Sequence, residues 1–127
     1  MSRMNALLWF LQFALVLLYL AGGAYKVFSS GEMASQMHAL PRLGWAAVGV
    51  YEVLGALLLA IPAVAKWLQP TIPLVAMALA VESFGLAFIY AHYSHALAAT
   101  NPMPWSIAIG LLAALLAWGR SAQQRRG

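Results

Sequence analysis

The chain contains no cysteine. That absence removes disulfide exchange, thiolate nucleophiles and cysteine ligation of metals or iron–sulfur clusters, so redox chemistry here needs a bound cofactor. Charge is scarce as well: 8% of the residues are Asp, Glu, Lys or Arg, against about 25% in soluble domains. So few charges cannot cover a water-soluble surface. The net charge of +4 does not point to nucleic acid, because the seven basic residues are scattered at the ends of apolar runs and in the tail. No soluble basic face exists to meet phosphates, and a nucleic-acid role is excluded.

What the chain does have is apolar sequence, 64% of its residues. It falls into four runs near the roughly 20 residues that a bilayer-spanning helix needs. The pattern predicts an all-α fold, an integral membrane four-helix bundle forming a single transmembrane domain over residues 1–127, with spans at about 6–28, 43–61, 71–92 and 104–119. The first run is longer than the 7 to 15 apolar residues of a signal peptide and reads as an uncleaved helix. Pro62 closes the second span, and Pro73 sits in the first turn of the third, where a missing amide hydrogen costs nothing. The fourth run is the shortest. From Pro104 to Gly119 it rises only about 24 Å, which calls for local bilayer thinning or a helical start within Ala96–Asn101.

Orientation follows from the basic residues. With both termini cytoplasmic, Arg3, Lys66, Arg120, Arg125 and Arg126 lie inside, and Lys26 and Arg42 outside. Aromatic residues then form two belts, Trp9, Trp67 and Trp118 at the inner interface, and Tyr25, Trp45, Tyr93 and Trp105 at the outer one. In the first outer loop, Ser29 and Glu32 match a capping box, and Met33, Met37 and Leu40 recur at helical spacing until Pro41. A short amphipathic helix is expected there. It either fixes spans one and two at the surface or covers the mouth of the bundle.

The chemistry centres on two acids. Glu52 and Glu82 each lie mid-span, where a charged side chain costs about 2.5 to 3.5 kcal/mol on insertion scales and persists only if sheltered by protein or water. Counting turns puts Glu52 roughly 14 Å from the outer end of its span and Glu82 roughly 16 Å from the inner end of its own, so both reach the midplane. If they face each other, repulsion and desolvation keep at least one proton in the pair, the makings of a proton relay; the simpler alternative is that they only tie helices together. Glycine follows each acid by three residues on the same helical face, so Gly55 and Gly85 are expected to admit a neighbouring backbone. Ser83, Ala87 and Ala91 add a small-residue stripe suited to packing within the bundle. Lys26 either snorkels to headgroups or turns inward to offset Glu52. Tyr51 adjoins Glu52, and its hydroxyl needs a partner. His38, His92 and His95 share the outer side without metal-ligand spacing; His92 is the candidate proton entry above Glu82.

Ala21-Gly22-Gly23-Ala24-Tyr25-Lys26 closing span one, Gly49-Val50-Tyr51-Glu52-Val53-Leu54-Gly55 in span two, and His92 at the end of span three together resemble the DoxX-like family of small four-helix membrane proteins, over residues 6–118. The resemblance implies a bundle in the bacterial cytoplasmic (inner) membrane. Some relatives are associated with quinone-linked oxidation, thiosulfate oxidation or oxidative-stress complexes, and distant ones assist assembly of other membrane proteins. The thiols of the cysteine-bearing relatives are missing here, and Glu82 lies outside the matching motifs.

Three functions are compatible with these residues. The first is a redox-associated protein binding a quinone or other apolar small molecule between helices, with Glu52 and Glu82 handling protons, Lys26 or His92 hydrogen-bonding the ring oxygens near the outer face, Tyr51 beside Glu52 as a further ligand- or proton-binding residue, and a membrane or periplasmic redox partner. The second is a proton-coupled transporter of lipophilic compounds acting as a homodimer. The third is a non-catalytic subunit that helps a larger membrane complex assemble.

Overall fold

The computed structural model describes residues 3–37, 39–93 and 102–126, and every regular element in them is helical. Helix α1 (Arg3–Phe28) leads through Ser29 into the short α2 (Ser30–Gln36), followed by α3 (Arg42–Ala60), α4 (Ile72–Tyr93) and α5 (Pro102–Arg126). Two 3-10 turns, Ile61–Ala63 and Lys66–Thr71, join α3 to α4. Four stretches, Arg3–Phe28, Arg42–Ala63, Lys66–Tyr93 and Met103–Arg125, are long and apolar enough to cross a membrane. The chain is a multi-pass membrane protein.

Prolines punctuate these helices as their missing amide hydrogens require. Pro41 precedes α3 and accepts the Trp45 amide at 3.0 Å, Pro62 sits in the turn that ends α3, and Pro73 and Pro104 lie in the first turns of α4 and α5. The last helix departs from the sequence expectation. It is 25 residues long, and its extra length lies at the C-terminal end, where nothing after Gly119 breaks a helix. Gly119 lies within the helix, and Leu8 of α1 fills the space that a side chain there would take. The stretch Met103–Arg125 therefore needs no bilayer thinning. Ala96–Asn101, His38 and His95 lie outside the described residues.

The short α2 forms without the anticipated capping box. Ser29 makes no side-chain cap bond; the chain instead runs on from α1 through Ser29 N–H to Tyr25 O (2.8 Å) and Met33 N–H to Ser29 O (2.9 Å). The helix ends at Gln36, so Leu40 is not part of it, and it buries Met33 while Glu32 stays exposed.

Helix α1 packs chiefly on α3 and α4 on α5, and lesser contacts of α3 with α4 and α1 with α5 close the ring. Each consecutive pair is antiparallel, so the bundle has one end bearing both termini and another bearing α2. Two apolar clusters fill the interior. The larger, nearer the termini, joins Leu15, Leu59, Leu79 and Leu116 from all four long helices. The smaller, at the α2 end, joins Met33, Trp45, Leu86, Tyr90 and Met103. Trp45 is fully buried there, 6.1 Å from a parallel Tyr90 ring, with its indole N–H donating to Met37 O at 3.2 Å. It is therefore core, not part of an outer aromatic belt. The outward faces carry Leu7, Phe10, Phe28, Leu74 and Phe88, as expected where lipid tails replace water.

Candidate functional site

A polar layer lies between the two apolar clusters. Its parts come from three helices: Tyr19 and Lys26 on α1, Glu52 on α3, and Glu82 and Ser83 on α4. Glu52 shares its buried face with Gly49 and Ala56, three residues before and four after, so the fold of α3 alone aims it inward. Lys26 Nζ sits 3.0 Å from Glu52 Oε1, and the two side chains are only 12% and 4% exposed. Instead of snorkelling to headgroups, Lys26 turns in. Gly22 makes the room, because a Cβ there would lie 3.2 Å from Glu52 Oε1 and 3.6 Å from Lys26 Nζ.

Glu82 completes the layer differently. Both of its carboxyl oxygens are buried, and neither has a well-formed hydrogen bond. Its charged neighbours are Glu52 and Lys26, with the Ser83 hydroxyl alongside. Ser83 is engaged elsewhere, its Oγ 2.7 Å from Tyr19 OH, which also reaches Leu79 O at 3.2 Å. One ammonium thus stands beside two carboxyls. It can offset one of them, and the second is uncharged only as the protonated acid.

Beside this layer runs an apolar groove of about 270 Å³ between α3 and α4. Leu54 and Leu58 form one wall and Leu74 and Ala78 the other, all exposed on the outer surface of the bundle, and Tyr51 stands at one end. The Tyr51 hydroxyl donates to Ala78 O at 2.9 Å, and Glu82 lies within its electrostatic reach. Tyr51 therefore lines the apolar groove and lies near the buried acid.

Of the residues singled out in the sequence, Glu52, Glu82, Lys26 and Tyr51 come together, and His92 does not. It is exposed near the end of α4, edge-on to Tyr93 with ring centroids 5.5 Å apart. The two glycines after the acids differ from expectation. Gly55 admits the Leu79 side chain, not a backbone, and Gly85 faces open space. The close backbone approach lies instead between Gly23 and Gly49, where a Cβ on either would come within 2.6 Å of the other's carbonyl oxygen. Tyr19 and its bond to Ser83 escaped the sequence reading, although a tyrosine deep in an apolar run is a signal that its hydroxyl has a partner.

No family model matches the chain, and no curated protein or solved structure is detectably similar to it.

Tyr19 links α1 to α4 across the bundle, so Tyr19→Phe is expected to cost about 0.6 kcal/mol, the average for hydrogen bonds between membrane helices, and at most about 1.7 kcal/mol. The unfolding midpoint on titrating SDS into the protein in dodecyl maltoside measures it. A midpoint equal to that of the unsubstituted protein would show that the link contributes nothing.

Proposed function

We propose that this chain is a DoxX-like, redox-associated protein of the bacterial cytoplasmic membrane. It holds an apolar ring compound of quinone type against the α3–α4 groove while Glu82 and Glu52 handle protons. Both termini face the cytoplasm, by the five-to-two distribution of Lys and Arg between the bundle ends. The observation that carries this reading is the Glu82 carboxyl, buried beside the Lys26–Glu52 ion pair so that two acids share a single ammonium. Helix glue does not call for two acids at one depth with one ammonium between them, whereas proton exchange needs a second group within reach of the first.

The groove has the character of a ligand site, apolar walls with one polar group at the end, and its volume lies near the lower end of small-molecule pockets at about 300 Å³. Its opening toward the bilayer lets a lipophilic ring enter sideways from the membrane. Tyr51 OH gives up its bond to Ala78 O, and the Glu82 carboxyl donates its proton to a ring oxygen in the groove. A membrane or periplasmic partner exchanges electrons with the ring.

Titration of a short-chain quinone into the protein in lipid nanodiscs, followed by tryptophan quenching, tests this. Saturable binding is expected, about tenfold weaker in Glu82→Gln, the equivalent of one lost hydrogen bond to a charged or acidic group. Quenching that does not saturate in the unsubstituted protein, or that is unchanged in Glu82→Gln, would overturn the proposal.

A further inference from the structure

The end of the bundle that carries both termini holds a second polar cluster, separate from the acids. Arg120 of α5 is only 4% exposed. Its Nε donates to Gln12 Oε1 at 3.1 Å, its Nη1 to Asn5 Oδ1 at 3.0 Å and to Gln123 Oε1 at 2.8 Å, and its guanidinium lies 4.5 Å from the centre of the Trp9 ring. All of these partners are neutral. The remaining nitrogen, Nη2, is buried and has no partner. Gln12 in turn donates to Leu59 O at 2.6 Å, which ties the cluster to α3.

No acidic side chain among the described residues balances this charge. The three acidic side chains are Glu32 in α2, Glu52 and Glu82. Glu52 belongs to Lys26, Glu82 lies beside that pair in the middle of the bundle, and Glu32 is at the opposite end. A buried cation without a counter-charge is costly, and the cost falls when an anion from outside approaches.

The structure offers a place for one. Arg120 lines a cleft of about 250 Å³ together with Lys66, Gln69, Gln123 and Gln124. The cleft lies between the 3-10 turn Lys66–Thr71 and the last turns of α5, and Gln124 Nε2 spans it to Gln69 O at 3.0 Å. Lys66 is exposed at its edge. Trp67 and Trp118, 79% and 60% exposed, flank it in sequence and mark headgroup depth. A buried fork, an exposed ammonium and side-chain amides make a positively charged site rich in donors and poor in anionic competitors. That set suits a tetrahedral anion with several acceptor oxygens better than a single planar carboxylate.

We propose that this cleft binds a phosphate group, carried by an anionic phospholipid headgroup or free in solution, with Lys66 as the direct contact and Arg120 as the buried charge behind it. The site is independent of the acids in the middle of the bundle.

The test uses the full chain in dodecyl maltoside. Short-chain phosphatidylglycerol, short-chain phosphatidylcholine and inorganic phosphate are titrated in separate arms, with fluorescence of the tryptophans, Trp67 beside Lys66 among them, as readout. Saturation by phosphatidylglycerol alone assigns the phosphate to an anionic lipid, and saturation by inorganic phosphate assigns it to a soluble anion. Lys66→Gln is expected to weaken that binding about fivefold, from the loss of one cation near a lipid surface. Lys66 is exposed, so the variant folds. Arg125→Gln removes an exposed basic residue of the same helix end that does not line the cleft, and it leaves the binding unchanged. Failure of both phosphate arms to saturate, equal saturation by phosphatidylcholine, or equal weakening by Arg125→Gln would overturn the proposal.

Discussion

Gly49→Val is expected to abolish the folded bundle in mild detergent. Any side chain at this position meets backbone, not the movable end of a neighbour: a Cβ would lie 2.5 Å from Gly23 O and 2.9 Å from Val27 N, and Val27 Cγ2 is 2.8 Å away. Helix α1 must move off α3 to admit it. That movement also carries Tyr19 away from Ser83 and Lys26 away from Glu52, so the site loses its geometry together with the helix pair. Overpacking a core costs about 1 to 3 kcal/mol and more when nothing can yield, whereas removing a glycine from a helix returns at most about 1 kcal/mol of propensity. The clash wins. Gly85→Val is the matched control, because that position faces open space, and its midpoint is expected to stay within about 0.5 kcal/mol of the original. SDS titration followed by circular dichroism reads both variants. A Gly49→Val protein that unfolds at the same point as Gly85→Val would refute the backbone contact as the element holding α1 to α3.

Four membrane-crossing helices were legible in the sequence because hydrophobicity and length decide that question locally. The same holds for Glu52, whose face on α3 also carries Gly49 and Ala56. Facing is harder to read. The glycine three residues after Glu52 is buried on the same helix face, whereas α4 turns Gly85 away from its neighbours. The glycines that matter most, Gly22 and Gly23, sat in plain view next to Lys26. Their roles depend on where α3 crosses, which no periodicity of α1 contains.

Arg120 shows the opposite failure. Beyond Gly119 the apolar pattern stops, and a basic residue there reads as one more charge fixing orientation. Burial arises from Asn5 and Gln12, more than 100 residues earlier, and only the α1–α5 contact brings them together. Gln12 was the one visible hint, a strongly polar residue within an otherwise apolar run. Its amide accepts from Arg120 and donates to Leu59 O, so a single side chain joins three helices.

Lys26→Met is expected to destabilise the protein by about 3 to 5 kcal/mol, the cost of removing one member of a buried ion pair. The methionine fills much of the space of the lysine stem, so the effect comes from the carboxylate left behind. Glu52 then has no cation beside it in a layer that already contains Glu82 without a hydrogen bond. The decisive measurement is the double variant Lys26→Met with Glu52→Gln. Two neutral side chains of similar shape leave no uncompensated charge, so the double variant is expected to recover most of the stability lost in Lys26→Met, a coupling of at least about 1 kcal/mol between sites in contact. If Lys26 serves only to anchor α1 at the headgroups, the single variant loses little and the second substitution recovers nothing. Quinone titration of the double variant then separates structure from chemistry. Glu82 keeps its place when the neighbouring pair is neutral, so a folded double variant that still binds the ring assigns binding to Glu82 and the groove, and leaves to Lys26 and Glu52 the task of keeping one carboxyl charged beside it.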